Sequence, residues 1–80
     1  MHHAMTETLR AAAAATSTIL DRVDNARALL HCEPRCNAAG ILGDPAACLA
    51  QLKAAHALIA DAIKEHGAVS WPNEADYHAL

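Results

Sequence analysis

The chain has 80 residues, and this length limits it to one small domain. Its net charge is −3 with the histidines neutral. Hydrophobic residues make up 54% of it, but aromatic residues only 2% and there is no Phe. Many of the hydrophobic residues are alanines, so the core is thin and a partner or a staple is expected. The six Lys and Arg residues are dispersed among acidic ones, a pattern that gives no basic surface for nucleic acid.

The start of the chain, Met-His-His-Ala over residues 1–4, is interpreted as a non-native addition ahead of a native start at Met5. The weakly polar stretch 11–20 is too short to cross a bilayer. A helical pattern continues through this stretch, which argues against a cleaved signal peptide. We therefore predict a cytoplasmic protein with no membrane partner.

The first helix is predicted from apolar or small residues that recur at alternating spacings of four and three, which is typical of a heptad seam. Its members are Met5, Leu9, Ala12, Thr16, Ile19, Val23, Ala26 and Leu30. Thr6 is its best N-cap, and the residue before Pro34 is disfavoured in a helix. This helix is predicted to span residues 6–32.

The second helix shows the same alternation in Leu49, Leu52, His56, Ile59, Ile63 and His66. Asp44 before Pro45 is typical of a helix start, and Gly67 is placed for a left-handed C-cap. The predictions are a loop over 33–44, a helix over 45–66 and two seams that face each other. Small residues repeat every seven positions beside the second seam, at Cys48, Ala55 and Ala62, and would let the helix axes approach closely.

The predicted fold is all-α: an antiparallel helical hairpin that pairs with a second copy to form a four-helix bundle. Leu20, Leu29 and Leu58 lie off the seams, so the second copy would cover them. A single histidine on an apolar face usually has a structural role. In a symmetric dimer, however, His56 could meet its own copy and make assembly sensitive to pH.

The C-terminal tail, residues 67–80, holds both large aromatic residues. Ser70 before Trp71 and Pro72 resembles a helix start, so a short third helix within residues 71–78 is plausible. Either Trp71 packs back over the open end of the hairpin, or Trp71 and Tyr77 dock on another protein.

The cysteines lie near the connection between the helices, together with His31, and three interpretations remain open. Cys32 and Cys48 could form a disulfide worth about 3 kcal/mol. His31, Cys32, Cys36 and Cys48 could bind zinc or copper(I), although their spacing is not that of a zinc knuckle. The thiols could also be ordinary core residues, a role that suits Cys48.

The functional predictions rest on what these patterns allow. No catalytic motif is present, so we expect no enzyme activity and no catalytic or cofactor-binding residue. The favoured interpretation is a small helical interaction or regulatory module, of the size of many bacterial or phage regulators, that acts as a homodimer. Its expected interface residues are Leu20, Leu29, Leu58, His56, Trp71 and Tyr77. The alternative is a thiol-redox or metal-responsive protein that uses the cysteines.

Overall fold

The fold was analysed in a computed structural model, which describes residues 2–31 and 33–73, with side chains from residue 6 onward. These residues form two helices and no strand: α1 spans His2–Leu29 and α2 spans Pro45–Gly67. The helices lie side by side. Glu7 and Thr8 near the start of α1 lie beside Ala68 and Val69, which follow α2, so the helices are antiparallel. The predicted all-helical hairpin is confirmed.

The helix ends follow local hydrogen bonding. α1 begins at His2, before the predicted cap Thr6, and ends at Leu29 because its last turn tightens. The Leu30 amide donates to both the Ala26 and Arg27 carbonyl oxygens, at 3.1 and 3.2 Å, a common arrangement where a helix ends. The chain therefore leaves the helix well before Pro34.

Of the two predicted ends of α2, only the N-terminal one agrees with the structure. The Asp44 side chain accepts a hydrogen bond of 3.0 Å from the Ala47 amide, which is the predicted N-cap. At the other end, the prediction of a left-handed Gly67 is wrong. Gly67 is the last helical residue. The next residue, Ala68, has a helical φ of −87°, and the Ala68 amide donates a hydrogen bond to the Glu65 carbonyl oxygen.

The connecting segment, residues 30–44, contains a small ordered turn that the sequence analysis did not predict. Cys36 and Leu42 form an isolated antiparallel bridge. Between them the Asn37 side chain accepts hydrogen bonds from the amides of Ala39 and Ile41, at 2.9 and 3.2 Å. Gly40 has a φ of +79°, which only glycine adopts without cost. An Asn followed three residues later by a Gly was the available signal.

The core between the helices consists of small residues alone. Among the described residues, the buried hydrophobic side chains are Ala12, Ala15, Ala26, Cys48, Ala55 and Ala62, each at most 7% exposed. The predicted phase of α1 is confirmed only in part, since Ala12 and Ala26 are buried but Thr16 and Leu30 of the same seam are exposed, and the buried Ala15 lies outside it. The close packing of small residues on α2 is confirmed. The thinness of the core is also confirmed, because no side chain bulkier than cysteine is buried among the residues that the structure describes.

The predicted seam of α2 is wrong. Leu49, Leu52, Ile59 and Ile63 are 53%, 45%, 40% and 67% exposed, whereas the row of small residues faces α1. Relative to the prediction, α2 is turned by about 70° about its axis. Small side chains let two helix axes approach closely, and leucines at the same positions would hold them apart. The large apolar residues of α2 consequently point away from α1.

The hairpin is a single layer with a large surface. It measures 62 × 18 × 14 Å between Cα atoms and exposes 5,983 Å², whereas a folded monomer of 8.4 kDa is expected to expose about 4,600 Å². Stable domains generally pack two layers around a core. A single layer of two helices therefore leaves more surface exposed than a compact domain of this mass.

Candidate interaction surface

The most prominent feature of the surface is a row of large apolar residues along α2. We call Leu49, Leu52, His56, Ile59 and Ile63 the α2 stripe. All five are exposed, and their spacings of three and four place them on one side of the helix. The same spacing lines the contact between paired helices in coiled coils. The stripe therefore has the residue types and the spacing of a helix interface but no helix against it in the described structure.

A groove runs beside the α2 stripe, between the two helices. It has a volume of about 250 Å³ and is lined by Ile19, Val23, Ile59, Ala62, Ile63 and His66. Its walls are apolar apart from the imidazole. Five of these six residues belong to the two predicted seams. The seam residues thus gather around one groove, as the predicted pairing requires, but they leave it open to solvent.

The opposite side of the hairpin is charged. Arg22 of α1 lies 4.0 Å from a carboxylate oxygen of Asp61 and 3.7 Å from one of Glu65. These side chains are 32–53% exposed, so the ion pairs add little stability. Leu29 lies two turns after Arg22, and Leu58 lies two turns before Glu65, so both leucines are on this side of the hairpin. Both are only half-buried. The hairpin therefore has one charged side and one apolar side.

The predicted interface residues are divided between these two sides. Leu20 is 56% exposed and follows Ile19, a residue of the groove, so it extends the apolar side onto α1. His56 lies at the centre of the α2 stripe. Leu29 and Leu58 belong to the charged side. The prediction missed Leu49, Leu52, Ile59 and Ile63 as interface candidates, because it had assigned them to the contact with α1.

Trp71 closes the end of α2. Its indole N–H donates a 2.8 Å hydrogen bond to the His66 carbonyl oxygen, and the two rings lie 5.1 Å apart. This contact agrees with the interpretation that Trp71 packs back on the hairpin, although the residue is still 39% exposed. Of the predicted third helix, residues 71–73 have no regular structure, and residues 74–80, with Tyr77, lie outside the described range.

The cysteines occupy different environments. Cys48 is 3% exposed, in agreement with its interpretation as a core residue, whereas Cys36 is exposed in the connecting turn; both thiols are free. Cys32 lies outside the described residues, and with it the predicted disulfide to Cys48. Within the described part of the chain, no three His, Cys, Asp or Glu side chains are grouped so that they could hold a metal ion.

α2 is also long and apolar enough to cross a membrane, which the sequence analysis did not consider. The mean hydropathy of its most apolar 18 residues is 1.3, and 17% of that window is buried. A single such helix is weak evidence, because the core helix of a soluble protein meets the same criteria. The large aliphatic residues of the α2 stripe lie on one side of the helix, whereas Leu58 lies on the charged side.

The arrangement is thus a surface and not an enclosed site. The groove brings no set of convergent polar groups to a small molecule, which a typical ligand pocket does. What it offers is an apolar strip along most of one helix. Comparison of the chain with protein-family models, with curated proteins and with solved structures gives no match.

Proposed function

We propose that this protein is a helical interaction module that acts as a homodimer, in which the apolar sides of two hairpins form the core of a four-helix bundle. The observation that carries the proposal is the α2 stripe, whose large apolar residues are 40–67% exposed. A contiguous apolar patch of this size on a soluble protein is often a functional contact surface. Two hairpins that join these sides form the two-layer architecture that one hairpin lacks.

The exposed area supports a second copy as the occupant. The exposed area of Leu20 and of the four aliphatic side chains of the stripe adds up to roughly 1,000 Å² over two copies. This area is the lower limit for a specific interface. The rims of the groove add to this area. Each copy also exposes about 1,400 Å² more than a compact protein of its mass, so one additional hairpin is of the right size.

The proposed activity is binding and not catalysis, in the cytoplasm. A dimer of this kind can present its charged side, with Arg22, Leu29 and Leu58, to a further protein while the apolar sides are joined. Trp71 and Tyr77 near the C-terminus are the other candidates for such contacts, since both residue types are enriched at binding hot spots. The alternative, a thiol-redox or metal-responsive protein, would use the cysteine cluster at the connection between the helices, in which Cys36 is exposed.

The test is sedimentation equilibrium of the full chain at micromolar concentration, with two matched variants. Ile63→Gln alters the stripe, and Ile41→Gln alters the connecting turn; the two isoleucines are 67% and 64% exposed. In an isolated hairpin the two changes would have similar, small effects. We expect a dimer for the wild type and for Ile41→Gln, and at least tenfold weaker dimerisation for Ile63→Gln.

A wild type that sediments only as a monomer, or two variants with the same dissociation constant, would contradict the proposal. Native mass spectrometry without reductant decides on the alternative in the same sample. A mass two hydrogens lower, or higher by one metal ion, favours the thiol or metal function. A metal-free dimer with three free thiols per chain favours the interaction module. Partition of the wild type into neutral lipid vesicles would identify α2 as a membrane helix.

A further inference from the structure

We infer that the two copies pair α2 against α2 in antiparallel orientation about a two-fold axis at His56, and that acid dissociates this dimer. The inference rests on the proposed homodimer and specifies its geometry and its regulation. Three observations carry it: the symmetry of the α2 stripe, the position of α1 on one flank of that stripe, and the charges around His56.

The α2 stripe reads nearly the same in both directions from its centre. Leu49 and Ile63 lie seven residues before and after His56, and Leu52 and Ile59 lie four before and three after it. In an antiparallel pair centred on His56, each leucine therefore lies close to an isoleucine of the second copy, and the two His56 side chains lie close together near the axis. A two-fold interface requires such self-complementarity, because the same patch serves both subunits.

The position of α1 selects antiparallel over parallel pairing. Within each hairpin α1 packs on the row Cys48, Ala55 and Ala62, which lies on one flank of the stripe and corresponds to the g positions of a heptad that has Leu49 at a. In an antiparallel pair the two g flanks lie on the same side, so the two α1 helices meet and close a four-helix bundle. In a parallel pair they would lie on opposite sides and leave both grooves open.

The charges around His56 disfavour its protonation in such a dimer. On α2, Lys53 lies one turn before it, whereas Asp61 and Glu65 are engaged by Arg22 on the charged side. On α1, Val23 lies beside Ile59 in the groove. Because the helices are antiparallel, the turn after Val23, with Asp24 and Arg27, lies beside the turn of α2 that holds His56. The Asp24 carboxylate is 3.9 Å from the Arg27 guanidinium, and so it is already paired.

At the axis, His56 and Lys53 meet their counterparts from the second copy. Protonation of the imidazoles therefore places up to four positive charges close together among aliphatic side chains, where burial also disfavours the charged form. The dimer consequently binds fewer protons than two separate chains, so it weakens as the pH falls and imidazole takes up a proton. We expect a dissociation constant roughly 10–100 times higher at pH 5.5 than at pH 8, for one or two excluded protons.

The pH dependence is tested by sedimentation equilibrium at both pH values with His56→Leu, and with His31→Gln as a control. His31 is exposed at the other end of the hairpin, so its removal should leave the pH effect intact. His56→Leu should lose most of this pH effect, and the double variant His56→Leu, His66→Gln, which also removes the imidazole of the groove, should dimerise equally at both pH values. Asp24→Asn removes the nearest α1 carboxylate and should preserve or strengthen the acid dissociation.

The geometry is tested by cysteine cross-linking in a background of Cys32→Ser, Cys36→Ser and Cys48→Ala, once sedimentation has shown that this background dimerises. Antiparallel pairing predicts that a mixture of the Leu49→Cys and Ile63→Cys proteins forms a mixed disulfide on mild oxidation. Each of the two alone should cross-link poorly. Parallel pairing predicts the reverse, and His56→Cys should link to itself in either case.

The outcomes separate this inference from the proposed function. A monomer under all conditions contradicts the homodimer itself. A dimer with the same dissociation constant at pH 5.5 and 8, or a His56→Leu dimer that acid dissociates to the same extent as the wild type, leaves the homodimer standing and overturns the role of His56. Self-linked Leu49→Cys and Ile63→Cys without the mixed product overturn the antiparallel geometry.

Discussion

At the scale of single residues, the hairpin depends on alanine where most helical proteins use leucine. Ala55 is 4% exposed in the middle of the buried row of α2, whereas Ala57, two residues later on the same helix, is exposed. Alanine and leucine are both good helix formers, so a leucine at either site changes mainly the packing. A comparison of leucine substitutions at Ala55 and Ala57 therefore measures how much the close approach of the helices contributes to the free energy of unfolding.

We expect Ala55→Leu to lower the free energy of unfolding by roughly 1–3 kcal/mol, because the added atoms force the helix axes apart or displace the side chain from its preferred rotamer. Ala57→Leu should change the free energy by no more than about 0.5 kcal/mol. Urea denaturation of both variants at one protein concentration provides the comparison. Equal stabilities would mean that α1 does not pack on the small-residue row.

At the scale of the elements, the contact between Trp71 and His66 joins the tail to the end of α2. Trp71 is the only tryptophan of the chain, and its ring lies 5.1 Å from the His66 imidazole. A protonated imidazole quenches indole fluorescence more strongly than a neutral one, and a cation near the indole ring is also attracted to its face. The fluorescence of Trp71 thus reports the protonation of His66.

We expect the emission of Trp71 to be lower at pH 5 than at pH 8, because histidine is the side chain whose charge ordinarily changes in this range. The change should be lost in His66→Gln and retained in His31→Gln. A titration measured well below the dimer dissociation constant separates this local effect from assembly. An unchanged titration in His66→Gln would show that Trp71 does not remain on this histidine in solution.

The helix ends and the connecting turn differ in how far the sequence predicted them. The start of α2 was predictable because Asp44 and Pro45 act through bonds within one turn. The end of α1 was predicted three residues too late, at residue 32, because the last turn already tightens at Leu30. The ordered turn around Asn37 and Gly40 was missed although its signal was local, since glycine had been considered only as a loop former.

The orientation of α2 could not be predicted in this way. α2 carries two rows at heptad spacing, one of small residues and one of large apolar residues, and helical periodicity alone does not state which row faces which neighbour. The prediction gave α1 the large residues because burial of apolar area is the usual driving force. In the hairpin the small row packs there instead, so the best interface candidates, such as Leu52 and Ile59, had been placed inside the hairpin.

At the scale of the whole molecule, the question is whether a layer of two helices is a complete folding unit. An extent of 62 Å for 80 residues and a core of alanine and cysteine indicate little stability for one copy alone, since small domains need a substantial apolar core or a staple. If the second layer comes from a second copy, folding and dimerisation are coupled. The thermal midpoint then depends on protein concentration.

We expect the midpoint of thermal unfolding at pH 8 to rise by about 4 °C for each tenfold increase in chain concentration. This value follows from an unfolding enthalpy of about 0.7 kcal/mol per residue over two chains. Circular dichroism between about 2 and 200 μM measures it, since the midpoint of an obligate dimer shifts across such a range by mass action. Ile63→Gln should lower the midpoint at every concentration, and Ile41→Gln should follow the wild type. A midpoint that is constant over the hundredfold range would mean that one hairpin folds alone, and the apolar side of α2 would then need another occupant.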